Sequence, residues 1–302
     1  MVNLSVLKQL HNGVWLMEPE AAMMYSPLVH KIINGEHFNF THLHQASEKK
    51  EAQALNHRPM AVHLAADVVD PRFTEMNRAV PNSIAVIPLQ GVVMQEDFCG
   101  SPGINTLQKW MAEADGNANI IGHILYTNTP GGSAAGVEKF AEFITGLSKP
   151  VVAFVDGMAC SAGYWLASAA QKIICAEKLC TVGSIGAFST FYDTTKRDEL
   201  AGVRKIEVYA PQSGDKNKIH RDIVDGNTEN YSTRFLKPLV EDFHTAVQTN
   251  RPQIDTEAAG VFTGDVFSAT EALDNGLCDA IASFSDAVEA VLELSKQQTT
   301  TI

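Results

Sequence analysis

The chain has 302 residues, 45% of them hydrophobic, with 23 Lys plus Arg against 35 Asp plus Glu and a formal net charge of −12. That length supports a large core, and the acidic balance works against a phosphate-binding surface, so no nucleic acid partner is expected. The five cysteines, Cys99, Cys160, Cys175, Cys180 and Cys278, lack any CxxC spacing, which argues against a disulfide framework or a zinc site and for a reducing compartment.

In chain order, residues 1–80 read as a mainly helical extension and linker. They are histidine-rich, with a polar run from Ala46 to Asn56 and breaks at Arg58-Pro59 and Asp70-Pro71. Lys8, His11 and Glu18 interrupt the first apolar stretch, so neither a signal peptide nor a membrane anchor is expected, and the location is read as cytoplasmic. From residue 81 to 302 short apolar runs such as IAVIPLQGVV, HILYTNT and PVVAFVD alternate with helical segments. Strands apolar on both faces and separated by helices predict an α/β domain around a parallel sheet, joined by right-handed βα crossovers. Chemistry is then expected at the carboxyl ends of those strands. Further on come an amphipathic helix from Tyr231 to Asn250, ended by Arg251-Pro252, and helices near residues 269–275 and 285–294.

Four segments could carry chemistry. In Tyr126-Thr-Asn-Thr-Pro-Gly-Gly-Ser133 a strand ends in two glycines, whose backbone N–H groups can approach a ligand closely. The absence of a GK[ST] ending argues against a phosphate loop and leaves an oxyanion hole or a plain turn. Val155-Asp-Gly-Met-Ala-Cys-Ser-Ala-Gly-Tyr-Trp165 runs from a strand into a helix at Ser161, which is either a helix cap or a nucleophile favoured by the helix N-terminus. Cys160 beside it is a thiol alternative that reads first as packing. Val182-Gly-Ser-Ile-Gly-Ala187 reads as a tight turn leading to another strand, and Ala210 to Asp222 as a charged loop after a strand-like Lys205–Tyr209.

Together these motifs resemble the family of signal peptide peptidase A and the phage-head proteases. There an (N/S)xPGG turn, an (A/C)S(G/A)GY turn and a GSIG turn follow one another, and here the likeness extends from about Ser83 to Ala290 with Val261-Phe-Thr-Gly-Asp and Glu271 to Asp279. The resemblance implies the βα superhelix of the Clp protease and crotonase superfold. It implies Ser161 as nucleophile, Gly131, Gly132 and the Ala162 N–H as oxyanion donors, and Ser184 as a partner of the base. The base is a lysine, normally three residues after a glycine. Here Asn217 stands three beyond Gly214, so Lys216, three beyond Ser213, and Lys218 are the candidates.

A lysine acts as base only when neutral. Lowering its pKa from about 10.4 to near 7 takes about 4 kcal/mol of differential desolvation. The loop around Lys216 is too charged to supply this alone, so a homo-oligomer with the active site shared between subunits is expected. The expected activity is hydrolysis of a peptide or protein substrate through an acyl-enzyme, without metal or organic cofactor, in a phage-type head-maturation protease (a capsid precursor) or a bacterial peptidase. The rivals are an inactive scaffold of the same fold, a crotonase-like acyl-CoA enzyme, and a Ser-His-Asp triad using His123, His220 or His244.

Overall fold

The computed structural model describes residues 15–17, 58–63, 72–98 and 100–300. In chain order the strands are β1 (Trp15–Met17), β2 (Met60–His63), β3 (Arg72–Glu75), β4 (Ser83–Gln90), β5 (Ile120–Thr129), β6 (Gly131–Ser133), β7 (Val151–Cys160), β8 (Lys172–Cys175), β9 (Thr181–Gly183), β10 (Val266–Ser268) and β11 (Ala280–Ile281). The main helices are α1 (Ile104–Asp115), α2 (Val137–Thr145), α3 (Ala162–Ser168), α4 (Thr195–Leu200), α5 (Lys218–Val224), α6 (Lys237–Asn250), α7 (Ala269–Asp274) and α8 (Phe284–Thr300).

The main sheet has the order β10-β9-β7-β5-β4-β2-β3. Its centre is parallel, as the apolar runs predict: β4 pairs β5, β5 pairs β7, and β7 pairs β8 with its first half and β9 with its second. Its two edges are antiparallel, β10 on β9 and the β2–β3 hairpin on β4. The sheet therefore begins before Ser83. Of residues 1–80, expected to be mainly helical, the described parts hold β1, β2 and β3 and one 3-10 turn, Met76–Arg78. Pairing to the open edge of β4 decides the matter there, because backbone groups at a sheet edge need partners that a local helix would not supply. The remainder of residues 1–80 lies outside the described residues.

Both faces of the sheet are covered. On one, Ala287, Val288 and Val291 of α8 pack with Ile84, Val86, Ile124, Val152 and Phe154. On the other, Leu107, Met111, Phe140, Trp165 and Phe243 from α1, α2, α3 and α6 form the larger core. Trp165 stacks on Phe243 at 4.5 Å between ring centroids, which fixes α3 against α6. The long helix ending at Asn250 starts at Glu229 and passes through a π turn, Ser232–Leu236, before α6. The strand expected at Lys205–Tyr209 is not formed: the segment has no regular secondary structure and joins no ladder among the described residues.

Arg251, only 1% exposed, closes α6 by donating from Nη1 and Nη2 to the two carboxylate oxygens of Asp279, each at 2.8 Å. The same carboxylate accepts the Ile173 N–H at the start of β8. Removing one partner of a buried ion pair leaves the other charge uncompensated. Asp279 itself is part-exposed, so Asp279→Ala is expected to lose about 1.5–3 kcal/mol of unfolding free energy, less than a fully buried pair would, read from the urea midpoint.

Candidate active site

Three strand ends meet at one level. Thr129 of β5 is in register with Ala159 of β7, and Ala159 and Cys160 are in register with Val182 and Gly183 of β9. The residues that follow each strand, Gly131-Gly132, Ser161 and Ser184, are thereby brought side by side. This is the carboxyl end of the parallel sheet, where the chain was expected to place its chemistry.

Ser161 is 1% exposed and stands immediately before α3. Its N–H donates to the Gly183 carbonyl at 2.8 Å and its Oγ to the Gly186 carbonyl at 3.4 Å. It is not a helix cap in the usual sense. Its φ is 55° and ψ −118°, and its side chain accepts no capping bond, whereas a capping serine is extended and accepts from the first turn. Such a backbone costs about 1–3 kcal/mol in a residue with a Cβ, and strain of this kind gathers at functional turns. The turn lets the first N–H of α3, from Ala162, remain outside the helical ladder beside the hydroxyl. Cys160 is directed elsewhere, its Sγ donating to the Thr181 carbonyl at 3.7 Å, which fits its reading as packing.

The glycine pair divides its work. Gly131 adopts φ 96°, and its N–H donates to Thr129 Oγ1 at 3.1 Å, so that donor is spent within the turn. Gly132 lies against Val93: a Cβ there would sit 2.0 Å from the Val93 carbonyl oxygen. On this side Val93 N–H donates to the Gly131 carbonyl and Ser133 N–H to the Val93 carbonyl, both at 2.8 Å. Successive strand residues direct their polar groups to alternate edges, so the Gly132 N–H faces away from Val93. α3 also approaches closely, since a Cβ on Gly163 would meet Thr129 Cγ2 at 2.3 Å. Gly132→Ala is expected to push β6 off Val93, lowering the melting temperature by several degrees in a thermal scan.

Ser184 is buried at the other side of Ser161, also at positive φ (54°), with its N–H donating to the Asp265 carbonyl at 2.7 Å. Its hydroxyl makes no hydrogen bond among the described residues, which leaves it open to a partner. β9 ends at Gly183, so the GSIG turn follows a strand. Lys216 and Lys218 are not part of this cluster. Both are exposed, Lys216 in the turn before α5 and Lys218 at its first residue, and neither ammonium bonds to Ser161. The sequence reading missed the Gly186 and Asp265 carbonyls and the Thr129 hydroxyl. Backbone acceptors leave no trace in residue identity, although Thr129 two positions before Gly131 is a turn signal.

Among the described residues, none of the candidate histidines His123, His220 and His244 hydrogen-bonds Ser161. His123 lies about 20 Å back along β5 from Thr129, at some 3.3 Å per residue. It meets Asp115 at 3.2 Å, and burial holds its pKa below the ordinary value. His220 is exposed. His244 packs against Phe262 and bonds the Ile185 backbone, with burial again lowering its pKa.

The glycine and serine turns thus lie together at the carboxyl end of a parallel α/β sheet. The profile "Peptidase family S49" matches residues 146–298, and the chain belongs to that family. It is 31% identical over 229 residues to Protease 4 of Haemophilus influenzae, covering 72% of this chain and 36% of that protein. It is 29% identical over 229 residues to Capsid assembly protease C of Escherichia phage lambda, covering 69% of this chain and 48% of the relative. Against the Head-tail preconnector protein GP5 of Enterobacteria phage P21 the figures are 28% over 234 residues, 70% and 43%. The chain thus spans about a third to a half of the length of the curated relatives it matches.

Proposed function

We propose that the protein is a serine endopeptidase in which Ser161 attacks a peptide carbonyl and forms an acyl-enzyme. The observation that carries this reading is the buried Ser161 held at φ 55° without a capping bond, an arrangement with a structural cost and no local structural return. The Gly132 and Ala162 N–H groups receive the oxyanion, and Gly131 shapes the turn. A lysine general base takes the Ser161 proton, Lys216 in the preferred assignment and Lys218 in the alternative, with Ser184 Oγ as its hydrogen-bond partner. Family membership and the names of the relatives, Protease 4 and Capsid assembly protease C, support hydrolysis of a protein substrate. A phage-type head-maturation protease acting in a capsid precursor fits those relatives, and a bacterial peptidase is the other form of the same activity.

The lysine reaches Ser161 from a second copy of the chain. Residues 191–236 carry both lysines and expose Leu200, Ile206 and Val208 at 82%, 72% and 90%. Large exposed apolar side chains close together in the chain fit a protein contact, and burial of that contact is what a neutral lysine requires. No helix among the described residues is long and apolar enough to cross a membrane.

A scaffold reading has one observation in its favour, that Ser161 Oγ bonds only the Gly186 carbonyl among the described residues. A fluorophosphonate probe separates the readings. Labelling of the wild type at Ser161 supports the peptidase. No labelling at any protein concentration supports the scaffold, and a crotonase-like enzyme would also stay unlabelled because it does not use this hydroxyl.

A further inference from the structure

The proposed reaction gives β1 no role, yet β1 is paired to the glycine turn of the site. Trp15–Met17 runs antiparallel to β6, with Trp15 opposite Ser133, Leu16 opposite Gly132 and Met17 opposite Gly131. The other edge of β6 is taken by Val93, which bonds Gly131 and Ser133. Gly132 therefore turns both its N–H and its carbonyl toward β1. In an antiparallel ladder residues that face each other in this way exchange both bonds, so the register sets the Leu16 carbonyl toward the Gly132 N–H. That donor is the one assigned above to the oxyanion. Met17 itself is buried, at 4% exposed.

The surrounding geometry joins this strand to the nucleophile. β6 follows Thr129 after a single residue, Thr129 is in register with Ala159, and Ser161 is two residues further along the same chain. Strand addition of a peptide to a sheet edge draws affinity from main-chain bonds and leaves side-chain pockets to set preference. A segment paired to β6 in this register occupies the place of an extended substrate, with its middle carbonyl at the donor of the site.

We infer that Trp15–Met17 is bound as a substrate strand and that the chain is cut by its own active site at the Leu16–Met17 bond. The inference rests on Ser161 being the nucleophile. Ser161 Oγ adds to the Leu16 carbonyl carbon while its proton passes to the base. The bond to the Met17 nitrogen then breaks, and that nitrogen takes the proton and leaves as the amine. Water hydrolyses the Leu16 ester, releasing the carboxylate and restoring the Ser161 hydroxyl.

The test uses the full chain, as wild type and as Ser161→Ala, followed by intact mass over time, with casein hydrolysis measured in parallel. A synthetic peptide covering Asn12 to Glu20 serves as a substrate in trans. The expected result is a wild-type product beginning at Met17 and a peptide cut between its Leu and Met, with neither product in Ser161→Ala. Casein hydrolysis by a wild type that keeps its first 16 residues, or that is cut at another bond, overturns the self-substrate inference and leaves Ser161 standing. Failure of the wild type to cleave casein, the peptide and itself overturns both.

Discussion

Ser161→Ala is expected to abolish peptide hydrolysis, with kcat/KM falling by about 10³-fold or more, because removal of the nucleophile from a serine hydrolase leaves only the contribution of binding and oxyanion donors. The loss will not be a folding defect. The Ser161 hydroxyl makes a single 3.4 Å bond to the Gly186 carbonyl, which is too long to hold the turn, and alanine tolerates the φ of 55° no worse than serine does. The melting temperature of the alanine variant should match that of the wild type. Ser161→Gly supplies the contrast: glycine reaches this backbone without strain, so that variant should be equally inactive yet melt at or above the wild-type temperature. A casein or fluorogenic-peptide assay beside a thermal scan reads both quantities. Retention of activity in either variant would remove Ser161 from the mechanism.

The second large effect is expected at the base. Lys216→Ala should lower kcat by about 10²–10⁴-fold, the usual worth of a positioned general base, with Lys218→Ala retaining most activity. The hydrogen bonding of the Lys216 turn supports the first assignment. Lys216 sits in a turn whose backbone is pinned: its N–H donates to the Ser213 carbonyl at 3.0 Å, and Arg221 donates to the Lys216 and Gly214 carbonyls at 2.8 and 3.0 Å. Arg221 is itself seated 4.7 Å over the Tyr209 ring. The ammonium is thus carried by an ordered turn and left exposed, which suits delivery to a neighbouring copy. Lys218 instead lines a cavity of about 280 Å³ with Phe191, Tyr231 and Phe235 on its own arm. If the site is shared, mixing inactive Ser161→Ala with inactive Lys216→Ala should restore hydrolysis, since a mixed assembly contains sites with one intact serine and one intact lysine. A mixture that stays inactive, or a Lys216→Ala protein that works as well as wild type, would exclude the shared arrangement with this lysine.

Several features were open to sequence reasoning because they are local. The run Ser83–Gln90 and the first half of Val151–Cys160 are apolar at consecutive positions, which marks strands buried on both faces, and the helices between them show the longer period. Small residues at 131–132, 161–163 and 183–186 marked three turns, and their order along the chain carried the family resemblance that the S49 match supports. The hairpin of Met60–His63 with Arg72–Glu75 escaped notice because an edge strand of four residues has too short a pattern to stand out from a polar, proline-broken stretch. The antiparallel β10 escaped for the same reason, its three residues being visible only as the approach to the Ser268 and Glu271 capping box.

Residue order by itself determined the parallel α/β class, the three glycine and serine turns and the candidates drawn from them, since periodicity and turn chemistry depend on neighbours a few positions apart. Only the tertiary structure decided that the turns lie at one level, that Gly131 spends its N–H on Thr129, that Ser161 is strained rather than capping, and that Trp15–Met17 pairs with Gly131–Ser133. Those outcomes depend on register between strands far apart in the chain. Register is set by how whole faces pack, a property that no short stretch of residues contains.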